Sequence, residues 1–133
     1  MKIEEIEGVG PAYAVKLAEA GVATVESLLE QGGAAKGRAA LAEKTGISEK
    51  LILRWVNHAD LIRIKGVGPQ FAELLEAAGV DTVKELRNRN AANLAAKLIE
   101  INEAKNIAGT TPTAKQVEAW IEEAKTLEPK VSH

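Results

Sequence analysis

The residues best placed to do chemistry in this chain are glycines. Gly66-Val67-Gly68-Pro69 precedes an apolar stretch, and the same four residue types stand earlier as Gly8-Val9-Gly10-Pro11. Two glycines separated by one apolar residue let a chain reverse within a few positions. The missing side chains also leave backbone N–H groups uncovered beside a helix start. Uncovered amides at the positive end of a helix attract a phosphate or a carboxylate. The chemistry on offer is anion binding by the main chain. A tight turn between two helices that pack through small residues has the same composition and needs no ligand, so both roles stand open at this point.

The residues around the turns repeat with them. Leu61-x-x-Ile64-x-Gly66-Val67-Gly68-x-x-x-Ala72-x-x-Leu75 matches Ile3-x-x-Ile6-x-Gly8-Val9-Gly10-x-x-x-Ala14-x-x-Leu17. At a shift of 58 positions, residues 8–28 align with 66–86 without a gap, and Tyr13 falls on Phe71. A fixed-offset match of this length reads as two copies of one unit. Trp120 answers Trp55 at an offset of 65, so the second copy carries seven additional residues, placed between about Asn90 and Pro112.

The elements that must hold these turns read as helices throughout. Ile3 to Ile6 forms a helical turn, and Pro11 to Ala20 a helix with proline at its first position, ended by Gly21. Thr24 caps Val25 to Gln31, Gly32-Gly33 breaks that helix, and another spans about Ala35 to Lys44. Ser48 opens a helix with Leu51, Ile52, Trp55, Val56 and Ala59 at helical spacing. With no Gly or Pro between Ser48 and Lys65, it runs almost continuously into Leu61 to Ile64. The second copy continues with Pro69 to Ala78, Thr82 to Arg87 with a Thr82–Glu85 capping box, and a longer helix bearing Leu94, Leu98 and Ile101. Gly109 to Pro112 is a loop, and Thr113 opens the last helix. No strand-length stretch alternates with period two. The expected fold is all-α, with two tandem units of about five helices each: residues 1–60, residues 61–127 with an insertion near 90–112, and a flexible tail over 128–133. Both tryptophans read as core anchors.

The 133 residues are 46% hydrophobic and 27% charged, with a net charge of -2 and no cysteine. Disulfides, thiolate metal sites and thiol nucleophiles are excluded. The chain lacks the basic excess of a dedicated nucleic-acid binder, so any such binding must come from a local patch. Residues 1–60 hold seven basic and nine acidic side chains, the remainder ten of each. Arg63, Lys65, Lys84, Arg87, Arg89 and Lys97 cluster in the first part of the second copy, whereas Glu4, Glu5 and Glu7 crowd the arm entering the first turn. No run reaches membrane-span length and the opening lacks a signal-peptide core, which reads as a cytoplasmic protein.

The paired Gly-Val-Gly-Pro pattern, with Ala14 and Ala72 small where two helical arms meet, resembles the helix-hairpin-helix superfamily. The stretches Thr24 to Leu29, Ala40 to Thr45, Ser48 to Leu53, Trp55 to Asn57 and Asp60 to Pro69 look like a bacterial family of small tandem helix-hairpin-helix proteins classed as a domain of unknown function. A more distant likeness joins such units to SAM-like folds and to the lyase domain of repair polymerases. The superfamily resemblance implies a clamp on consecutive phosphates of a nucleic-acid strand, made without reading bases. Its contacts fall on Gly66, Val67 and Gly68, flanked by Lys65 and Arg63, and on Gly8, Val9 and Gly10. The chain departs from DNA-binding members where a basic residue follows the proline, since Ala12 and Gln70 stand there.

Catalysis finds little support. A repair lyase needs a lysine of lowered pKa, and nothing marks Lys16, Lys65 or Lys84 as one. Glu122-Glu123 reads as a solvated face, and His58 as a packing or surface residue. The expectation is a non-enzymatic module without cofactor, metal or small-molecule substrate. It binds DNA or RNA backbone weakly, chiefly at the second turn, with a steep fall in affinity as salt is added. The alternative is a protein-interaction or self-assembly adaptor in which the turns are structural.

Overall fold

Helix starts in this chain are set by side chains that accept the free amides of a first turn. Thr24, Asn90 and Thr113 accept the N–H of the residue three positions on, at 3.0, 3.0 and 3.1 Å. Ser48 does the same at 3.2 Å and Thr82 at 3.3 Å. Each such cap is worth about 1 kcal/mol.

The computed structural model describes all residues, 1–133. A short 3-10 helix, Ile3–Glu5, is followed by α1 (Gly10–Glu19), α2 (Val25–Gly32), α3 (Ala35–Thr45), α4 (Glu49–Ile62), α5 (Pro69–Ala77), α6 (Val83–Leu86), α7 (Ala91–Lys105) and α8 (Ala114–Ala124). The fold is all-α. Extended pairing is limited to one isolated antiparallel bridge between Lys2 and Thr24.

The chain forms two compact units, Met1–Asp60 with Lys130–His133, and Leu61–Pro129. In the first unit, α1 packs on the 3-10 helix and on α3, and α2 packs on α3. Leu17, Val22, Leu28, Ile52 and Trp55 are fully buried there. In the second unit, α8 packs on α6 and α7, and α7 packs on α5. Its core gathers Leu61, Ile64, Leu74, Leu75, Leu86, Leu98 and Trp120. Helix α4 runs without a break past the boundary between Asp60 and Leu61.

The structure departs from the sequence-based expectations in two places here. The capping box at the start of α6 is only half made. Thr82 accepts the Glu85 N–H, but the Glu85 carboxylate turns instead to the Arg89 guanidinium at 2.9 and 3.1 Å. Pairing with a full positive charge draws the carboxylate away from the Thr82 backbone N–H. Residues 130–133, expected as part of a flexible tail, belong to the first unit. Ser132 N–H donates to Gly33 O at 2.8 Å, and the Arg38 guanidinium donates to Ser132 O at 2.5 Å. Gly33 is buried, and a side chain on it would collide with the carbonyl oxygen of Lys130.

Candidate functional site

The second turn is held from below by an aromatic pair. Trp120 on α8 is 4% exposed, and the ring of Phe71 on α5 lies on it with centroids 5.4 Å apart at 52°. A Cβ built on Gly66 would stand 3.2 Å from Trp120 Nε1, and Gly66 has φ +92°. The left-handed backbone favours glycine, and a Cβ there would also press on the Trp120 indole. The first turn repeats the arrangement, with Tyr13 on Trp55 at 5.2 Å and a Cβ on Gly8 reaching to 3.6 Å from Trp55 Nε1.

The two turns differ at their second glycine. Gly10 has φ +62° and already begins α1, whereas Gly68 has φ -97° and ψ -172° and caps α5 from an extended conformation. In the second turn, Val67 N–H donates to Ile64 O at 3.0 Å, while the N–H groups of Gly66 and Gly68 have no acceptor within the protein. Gly66 is exposed and Gly68 half-buried. Two donors without a partner in the protein thus flank one that is satisfied, at the start of a nine-residue helix whose dipole favours an anion.

Several expected site residues take other roles. Val9 and Val67 are 2% and 4% exposed, and both use their amides inside the fold, Val9 on Ile6 O at 3.1 Å. Neither valine offers a donor to a ligand, because each is the apolar peg that fixes its turn on the core. Arg63 Nη1 donates to Glu128 O at 2.8 Å and so helps hold the end of the second unit. Lys65 is exposed, and its backbone N–H donates to Glu123 Oε1 at 3.1 Å. Glu123 is therefore not simply part of a solvated pair. It caps the chain just before the turn, and Glu122 meets Lys125 at 2.9 Å instead. Around the first turn, Glu4, Glu5 and Glu7 are all exposed.

The remaining basic residues divide. Arg89 is committed to Glu85 and to Gly79 O at 3.0 Å, yet it lines a cleft of about 210 Å³ together with Lys97, Asn88, Asn90, Asn93 and Leu94. Lys84 is exposed and Arg87 half-buried. A larger open cleft, about 340 Å³, is lined by Gly66, Gly68, Pro69, Gln70, Phe71 and Thr110.

Residues 7–127 match the model of a family described as a domain of unknown function, DUF4332. The chain belongs to that family. The DUF4332 match takes in both glycine turns and both tryptophans, and stops short of the segment that returns to the first unit. No solved structure matches this DUF4332 chain.

Sequence reasoning missed the buried polar groups. Arg38 is 5% exposed and donates to Gly32 O and Gly33 O at 2.9 and 2.8 Å as well as to Ser132 O. Burial lowers its pKa, and the charge of Glu49 partly opposes that. Asn57, His58 and Asp60 on α4 are buried too, which places His58 inside the fold. Arg38 meets these carbonyls with the several N–H donors of one guanidinium. No group of three or more His, Asp or Glu side chains is arranged to hold a metal ion. No helix is long and apolar enough to cross a membrane.

Proposed function

We propose that this protein is a non-enzymatic binding module of helix-hairpin-helix type that grips the phosphate backbone of DNA or RNA, without reading sequence, at its second glycine turn. The observation that carries the proposal is the pair of unoccupied N–H groups on Gly66 and Gly68, set at the N-terminus of α5 next to exposed Lys65. Such a site binds an anion through fixed dipoles and one mobile positive charge. The 58-residue repeat supports a second hairpin of the same descent, whose Glu4, Glu5 and Glu7 repel phosphate and leave it a structural part. The carboxylate of Glu123, bonded to Lys65 N–H, weakens the grip and makes the expected affinity low. The test is a titration of single-stranded and duplex oligonucleotides at low ionic strength. Saturable binding that falls with salt supports the proposal, and no detectable binding of either rejects it.

One observation favours a second reading, a protein-interaction or self-assembly adaptor. On α1, Val15 is 58% exposed and Tyr13 37% exposed, with Pro11, Ala12 and Ala18 also exposed. The aligned positions on α5 hold Gln70, Glu73 and Glu76 opposite Ala12, Val15 and Ala18. An apolar outer face on α1 with no counterpart at the aligned positions of α5 suits a protein partner. Solution size measurements that show oligomers, together with indifference to oligonucleotides, would favour this adaptor role.

A further inference from the structure

The cleft at the second turn is larger than a phosphate needs. Its 340 Å³ falls at the lower end of pockets that hold whole small ligands. Its lining brings together Pro69, Gln70, Phe71 and Thr110 beside Gly66 and Gly68. Phe71 is partly exposed and fixed in place by its contact with Trp120, so it offers a prearranged aromatic surface. Gln70 is exposed and carries both a donor and an acceptor in one plane, the pattern that pairs with the edge of a heterocycle. Thr110 comes from the stretch within which the second copy carries its seven additional residues.

We infer that this cleft seats one unpaired nucleobase, attached to the backbone phosphate held by Gly66 and Gly68, and that the natural ligand is single-stranded nucleic acid. The inference rests on the proposed backbone grip and adds the ligand class. In a duplex the bases are stacked and paired, and none is free to enter a side cleft while its own phosphate sits on the turn. In a single strand each base can swing onto an aromatic wall, and such contacts tolerate any base because every base has a π face. The cleft opens directly from the two glycines, so phosphate and base sites are continuous along one nucleotide. Stacking on the Phe71 side chain carries little base preference of its own, and any preference comes from the Gln70 amide.

The experiment compares three probes of equal length at low salt by fluorescence anisotropy: oligothymidylate, the same backbone with abasic spacers in place of every base, and a duplex. Roughly tenfold tighter binding of oligothymidylate than of either other probe is expected from one stacked base. Phe71→Leu, which keeps an apolar contact with Trp120, is expected to remove that gap. Phe71→Tyr, which copies the residue at the aligned position 13, is expected to retain it. Thr110→Val, on an exposed loop, provides a variant independent of the core and is expected to narrow the gap. Equal binding of the base-bearing and abasic strands overturns the base seat while leaving the backbone grip intact. Tighter binding of the duplex overturns the single-strand assignment, and absence of binding by all three probes overturns both the base seat and the grip.

Discussion

At the scale of single residues, two glycines two positions apart have unequal roles. Gly66 lies at φ +92° with Trp120 Nε1 3.2 Å from where a Cβ would be, whereas Gly68 has an ordinary φ and open space around it. Gly66→Ala is expected to destabilise the second unit by about 1–3 kcal/mol through backbone strain and the indole contact. Gly68→Ala is expected to change stability by less than about 1 kcal/mol. Urea denaturation of the two variants measures the difference, and equal effects would contradict this account of the turn. Arg38 provides a second contrast. Its guanidinium serves three carbonyls in buried surroundings, so Arg38→Ala leaves them without a donor and is expected to cost about 2–4 kcal/mol by the same measurement. The glycine pattern was legible in the sequence because glycine is the one residue whose use reports backbone geometry. The backbone angle at each second glycine was not legible. Both turns read Gly-Val-Gly-Pro, yet Gly10 and Gly68 differ in φ, so that difference arises from what each turn is packed on rather than from the four residues themselves.

At the scale of elements, capping decides where helices start, and α8 shows how a cap reaches the site. Thr113 accepts Gln116 N–H at 3.1 Å, and Gln116 Oε1 accepts Thr113 N–H at 2.8 Å. The helix they begin carries both Trp120 beneath Gly66 and Glu123 against Lys65. Thr113→Ala is expected to lower stability by about 1 kcal/mol and to speed amide exchange in the first turn of α8. Electrostatics at the start of α2 gives a pH test. The Glu26 carboxyl is held below its usual range, chiefly by its own backbone N–H and next by the Met1 amino group at 3.3 Å. A carboxylate with a depressed folded pKa stabilises the protein above its unfolded value and loses that contribution as pH falls through the folded one. Glu26→Gln is expected to cost under about 1 kcal/mol at neutral pH, because the side chain is exposed and screened. The difference from wild type is expected to close in strong acid, as followed by thermal melts across pH. Helix order, most boundaries and the tryptophan anchors were legible because apolar spacing and caps are local signals. The bonds that return residues 130–133 to Arg38 and Gly33, and the bond from Lys65 to Glu123, join residues 58 to 99 positions apart, which no local pattern carries.

At the scale of the whole molecule, a net charge of -2 sets the character of any nucleic-acid contact. Arg63 and Arg89 are engaged within the fold, which leaves Lys65 as the exposed cation flanking the turn. Few counterions are displaced by one lysine and two neutral amides. The steep salt dependence expected from the sequence alone therefore gives way to a shallow one, a log–log slope of about -1 to -2. Lys65→Ala is expected to bring that slope close to zero, since one phosphate contact contributes about 1 to it. A slope of about -5 or steeper would place the contact elsewhere, on a broader basic surface. The most direct test of the main claim is a two-dimensional ¹H–¹⁵N NMR titration of the intact protein with a short single-stranded oligonucleotide at low salt. The account predicts saturable shifts centred on the Gly66 and Gly68 amides, with the Gly8 and Gly10 amides unmoved; saturable shifts that leave Gly66 and Gly68 in place would contradict it.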